Sequence, residues 1–72
     1  MALTHYHETL PDGLHAEYNR IQEPGFLCGS WKTKVRDQDG KLVYFDISER
    51  GLGHLRNRTR KWAQVRDWLR LL

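Results

Sequence analysis

Residues 30–37 and 41–48 each alternate apolar and polar side chains with period two, and only Gln38-Asp39-Gly40 separates them. That pattern specifies two antiparallel strands and goes far toward fixing how they pair. A three-residue connection ending in glycine suits a turn whose last residue is left-handed and bulged. It sets Val35 opposite Val43, Thr33 opposite Phe45 and Trp31 opposite Ile47 on one apolar face. The other face then pairs Lys32 with Asp46, Lys34 with Tyr44 and Asp37 with Lys41. A loop one residue shorter or longer would mix the faces, because a slip of one residue turns every side chain over.

The N-terminal third reads in two ways. Residues 3–10 and 14–21 flank Pro11-Asp12-Gly13 and alternate as a second hairpin. Pairing Leu10 with Leu14 sets Tyr6 across from Tyr18 and Glu8 across from Ala16. The rival is a helix over residues 12–22, with Asp12 as its cap, Leu14, Tyr18 and Ile21 on one side, and Pro24-Gly25 as its stop. The hairpin is the preferred reading.

The chain after Gly53 reads as a helix that starts between residues 53 and 58, with Ser48 or Asn57 able to cap it. At 100° per residue, Leu55, Trp62, Val65, Leu69 and Leu72 share one arc, with Trp68 at its edge. That arc is expected to pack on the apolar face of the sheet. The fold class that follows is α+β: two hairpins, four antiparallel strands, and one C-terminal amphipathic basic helix.

The 72 residues are expected to make one small domain whose core is limited by its size. A single cysteine, Cys28, leaves no disulfide within one copy and suits a reducing compartment. Cys28 is expected as a small buried residue, not a nucleophile. No apolar run approaches the roughly 20 residues of a membrane span, and the first residues carry no signal-peptide pattern, so a cytoplasmic protein is expected.

Charge is unevenly placed. From Glu49 onward seven basic residues face two acids, a net of +5, whereas the first 48 residues carry a net of −2. Arg56, Arg60, Arg66 and Arg70 share a helix face, and arginine's fork binds phosphate or carboxylate bidentately. Lys32, Lys34, Arg36 and Lys41 make a second basic strip on the central strands. Both strips can neutralise phosphates. Asp37, Asp39, Asp46 and Asp67 dilute them, and a solvated face is the plain alternative. Arg58 falls inside the apolar arc, which a side chain snorkelling outward at the helix start would explain.

His5, His7 and His15 share one face of the first hairpin with Glu17, and His7 lies opposite Glu17. His-x-His on a strand is a spacing found in metal sites. Without Cys-x-x-Cys or His-Glu-x-x-His, solvated histidines are expected, with no metal, no cofactor and no catalytic residue. Gly51-Leu52-Gly53 has neither the spacing nor the lysine of a phosphate loop.

The stretch Gly29-Ser30-Trp31-Lys32-Thr33-Lys34-Val35-Arg36-Asp37-Gln38-Asp39-Gly40-Lys41, then a strand and a helix ending in Asp67-Trp68-Leu69, resembles the AP2-like and integrase arm-type DNA-binding domains. The resemblance implies a sheet inserted into the major groove, with Lys32, Lys34, Arg36 and Tyr44 as contacts. The basic helix and the N-terminal hairpin depart from that pattern.

The expected function is therefore a non-enzymatic nucleic-acid-binding accessory or regulatory protein, of the size found in mobile elements, binding DNA ahead of RNA. The alternative is a protein-interaction module, an inhibitor or adaptor, whose arginines meet an acidic protein surface and whose Trp31, Tyr44 or Trp68 act as anchors. The tryptophans discriminate: if all three are buried, the polar basic surface is left for nucleic acid, whereas an exposed patch over residues 68–71 points to a protein partner or a homodimer.

Overall fold

A computed structural model describes residues 3–26 and 29–71, with Leu71 by its backbone only. The expected burial of Cys28, the part of Leu71 in a patch over residues 68–71 and the place of Leu72 in the helix stripe lie outside the described residues. The elements are β1 (His5–Leu10), a short 3-10 turn (Pro11–Gly13), β2 (Leu14–Arg20), β3 (Trp31–Arg36), β4 (Leu42–Ser48) and α1 (Leu52–Leu71). The strands form one antiparallel sheet in the order β1-β2-β3-β4, and α1 packs across one of its faces. The fold is α+β, and the N-terminal third is a hairpin, not a helix.

The β1–β2 register is the one that the alternation predicts, with Leu10 opposite Leu14, Tyr6 opposite Tyr18 and His7 opposite Glu17. Its turn is compact because Asp12 and Gly13 both adopt left-handed backbone, at φ 71° and 72°. A Cβ on Gly13 would collide with the Gln38 side chain, so glycine also lets this turn approach the β3–β4 turn.

The β3–β4 register differs from the expectation by one residue. The turn itself is as predicted: Asp37 N–H donates to the Lys41 carbonyl at 2.9 Å, and Gly40 has φ 82°. Beyond it, Arg36 pairs with Leu42 but Val35 pairs with Tyr44, so Val43 is an extra residue on β4. This bulge shifts every later pair: Lys34 faces Phe45, Thr33 faces Asp46, Lys32 faces Ile47 and Trp31 faces Ser48. Tyr44, Asp46 and Ser48 consequently lie on the helix side, and Phe45 and Ile47 on the open side.

The core lies between sheet and helix. Leu10, Leu14, Ala16, Tyr18, Trp31 and Val35 from the strands meet Leu55 and Ala63 from α1, with Tyr6, Val43, Tyr44, Leu52 and Trp62 packed around them. The helix buries Leu55, Thr59 and Ala63, whereas Val65 and Leu69 of the expected arc are exposed. Thr59 satisfies its hydroxyl by donating to the Leu55 carbonyl at 2.8 Å. Gly51, at φ 97°, turns the chain into α1, and the Ser48 hydroxyl accepts from the Arg50 N–H at 3.1 Å just ahead of it. No helix among the described residues is long and apolar enough to cross a membrane.

Candidate nucleic-acid interface

The strand pleat sorts the candidate residues into two groups. On the helix side, Glu8 of β1 is the hub. It accepts from the buried Tyr18 hydroxyl at 2.7 Å, from Arg60 Nε at 2.9 Å and from Arg56 Nε at 3.3 Å. Burial works to raise the Glu8 pKa, but the bonds from Tyr18, Arg60 and Arg56 outweigh it and hold the carboxyl below its ordinary value. Arg56 also lies 4.4 Å over the Tyr6 ring. Glu8 in turn raises the pKa of the exposed Arg60.

The far end of the helix repeats the arrangement around Asp12. Arg70 bonds its carboxylate directly, and Arg66 lies 3.9 Å from the same oxygen. The four helix arginines of the sequence analysis thus make two pairs, each gathered on an acid of the protein itself. Arg58 is tied down as well, donating to Asp46 Oδ1 at 2.6 Å. It does so from the second turn of a helix that begins at Leu52, not from the helix start.

Tyr44 is separated from the lysines that it was expected to join, because the Val43 bulge turns it under the helix. Its ring stacks on Trp62 at 4.4 Å, and its hydroxyl donates to Asp46 Oδ2 at 2.9 Å. Desolvation, then the bond to Asp46, pushes its pKa up to about 12. Tyr18 is shifted upward for the same kinds of reason, desolvation first and the Glu8 bond second.

The open face is different. Following the register, three rows cross it: His5, Asn19, Lys32, Ile47; His7, Glu17, Lys34, Phe45; and Thr9, His15, Arg36, Leu42. Lys32, Lys34 and Arg36 form a column along β3. None of the three has an ion pair within 4 Å among the described residues, and Arg36 donates to the Gly40 carbonyl at 3.2 Å. Beside that column stands an apolar one on β4, with Phe45 51% exposed, Leu42 45% and Ile47 37%. Sequence reasoning missed Phe45 as an open-face residue. Only the bulge exposes it, and the alternation across residues 41–48 carries no sign of one.

The tryptophans divide. Trp31 is buried, Trp62 is half-buried, and Trp68 is 68% exposed beside Leu69 at 65%. No group of three or more metal-ligating side chains occurs among the described residues. The chain matches no protein-family model, no curated protein and no solved structure.

Proposed function

We propose that this chain is a small nucleic-acid-binding accessory or regulatory protein that performs no catalysis, and that the open face of its sheet is the binding surface. One observation carries the reading. The helix arginines have acids of their own chain as partners, whereas Lys32, Lys34 and Arg36 line an uncovered sheet beside an exposed aromatic ring. Cations spaced along a strand meet successive phosphates, and an exposed ring such as Phe45 offers a base a surface to stack on. The resemblance to arm-type domains would put the same strand against DNA, with Phe45 in place of Tyr44 on the contact surface.

The test is a fluorescence-anisotropy titration of random duplex DNA and of single-stranded DNA and RNA at about 50 and 200 mM salt. If three phosphates are neutralised, duplex affinity falls about 40-fold between those salts. Replacing Lys32, Lys34 and Arg36 together by alanine is expected to remove most of the binding and of its salt slope. Unchanged binding in that variant would remove the sheet face from the mechanism, and no binding at the lower salt would remove nucleic acid altogether.

The exposed Trp68 and Leu69, with Val65 behind them at 43%, favour a second reading, a protein-interaction module. In that reading the helix end is the anchor, since tryptophan and arginine dominate interface hot spots. Trp68→Ala would then abolish a protein complex while leaving the anisotropy titration untouched.

A further inference from the structure

The edge strand β1 carries a feature that nucleic-acid binding does not use. On the open face, His5 Nε2 and His7 Nε2 point at one another at 2.5 Å, with the two rings 4.3 Å apart and nearly perpendicular. The hydrogen bonds behind them fix how His5 is protonated. Asn19 Nδ2 donates to Glu17 Oε1 at 3.1 Å, which leaves the amide oxygen Oδ1 facing His5 Nδ1 at 2.6 Å. An amide oxygen only accepts, so Nδ1 of His5 must carry its hydrogen, and in the neutral ring Nε2 presents its lone pair toward His7. A chain of contacts thus runs Glu17, Asn19, His5, His7. It ends in two imidazole nitrogens that share the space of one proton.

We propose that His5 and His7 form a two-histidine binding site for a divalent first-row transition cation such as Zn²⁺, with Asn19 as the residue that positions His5. Imidazole nitrogen is a preferred donor for such cations, and a ligand histidine commonly donates its other ring N–H to an acceptor that fixes its orientation. Asn19 fills that second role, with Glu17 behind it. A cation takes the place of the hydrogen between the two Nε2 atoms, and His7 then carries that hydrogen on Nδ1, exchanged through water, so both ligands bind as neutral imidazoles.

At a metal–nitrogen distance of about 2.0–2.1 Å, tetrahedral donors stand roughly 3.3 Å apart. The two exposed rings need to part by only about 0.8 Å from their present 2.5 Å, a small rotation for surface side chains. The carboxylate of Glu17, directly opposite His7 in the register, adds negative charge beside the cation. The chain supplies two donors and water completes the coordination. The two ligand histidines lie on β1, two strands from Lys32 and Lys34, with Asn19 and Glu17 of β2 between them, and the cation is read without nucleic acid, so the two proposals fail separately.

The experiment is a titration of the full chain with Zn²⁺ alone, followed by the ring-nitrogen NMR signals of the four histidines and by calorimetry. The expected result is a shift of the Nε2 signals of His5 and His7, while those of His15 and His54 stay in place. His5→Ala and His7→Ala are each expected to lower the affinity at least tenfold, and Asn19→Leu to weaken it by a smaller factor. His15→Ala should bind as the parent does. Cys28→Ser is titrated in parallel, because a thiolate also takes Zn²⁺. Affinity that survives in His7→Ala, is lost in Cys28→Ser, or shifts all four histidines alike overturns the proposal.

Discussion

The two faces of the sheet use their polar residues in opposite ways. Beneath the helix, Glu8 and Asp46 are met by Arg56, Arg60 and Arg58, and the tyrosine hydroxyls of Tyr18 and Tyr44 end on the same carboxylates. On the open face, lysine and arginine stand in a column beside exposed phenylalanine, leucine and isoleucine, with no acid among the described residues within ion-pair distance of them. Basic charge counted along a sequence therefore says little about which cations are left without an acid of their own chain. The most basic segment of this chain is where cations have partners within the molecule, and the less basic one is where they remain presented.

Substitutions under the helix should break this contrast most visibly. Leu55 is fully buried between helix and sheet, so Leu55→Ala is expected to cost about 2–5 kcal/mol in urea denaturation. Next is Glu8→Ala, at about 1–3 kcal/mol, because the buried Tyr18 hydroxyl loses its acceptor. Arg56 and Arg60 can turn to solvent, so the cost lies mainly with the tyrosine. Glu17→Ala, the corresponding change on the open face, should stay within about 0.5 kcal/mol.

The covered face should also set the pH limits of stability. The pKa of Glu8 is lowered on folding, so its contribution is present above the ordinary carboxylate range and is lost as pH falls through the folded-state value. Tyr18 and Tyr44 are raised, so their contribution is intact below pH 10. It is lost as pH rises toward about 12, the value for Tyr44. Stability measured against pH should fall at both ends; Glu8→Gln should flatten the acid limb and, because Glu8 also helps to raise Tyr18, soften the alkaline limb by a smaller amount. A smaller effect belongs to Arg58 and Asp46: with Arg58 half-exposed, a double-mutant cycle should give a coupling of about 0.2–1 kcal/mol despite the 2.6 Å contact.

Much of this architecture is legible in the sequence. Pro11-Asp12-Gly13 and Gln38-Asp39-Gly40 mark both hairpin turns, and the first hairpin keeps the register that Leu10 and Leu14 predict, because nothing interrupts its alternation. The second hairpin misleads for a local reason. Alternation assumes one residue per step, and Val43 adds one that composition does not announce. The helix stripe misleads for a global one. Leu and Trp mark the apolar arc, but Thr59 and Ala63 from outside it are buried beside Leu55, and the last turns carry Leu69 to solvent. The candidate site shares both errors: Lys32, Lys34 and Arg36 stay together, Tyr44 leaves them, and the ion-pair partners of the helix arginines lie so far off in sequence that spacing cannot find them.

The smallest expected effect on stability is the sharpest test of the contrast. In the bulged register Phe45 faces solvent opposite Lys34, so Phe45→Ser should change stability by no more than about 0.5 kcal/mol. Without the bulge, Phe45 would pair with Thr33 beneath the helix, and removing its ring would cost several kcal/mol, as buried phenylalanines do. One denaturation curve therefore separates the two registers. The same variant bears on function: if a base stacks on Phe45, single-stranded affinity should drop by about 1–3 kcal/mol while the fold is untouched. Loss of binding without loss of stability would mark Phe45 as a contact residue. Unchanged binding would leave the lysine column to act on phosphates alone, and the exposed ring would then count as apolar surface that a protein partner covers.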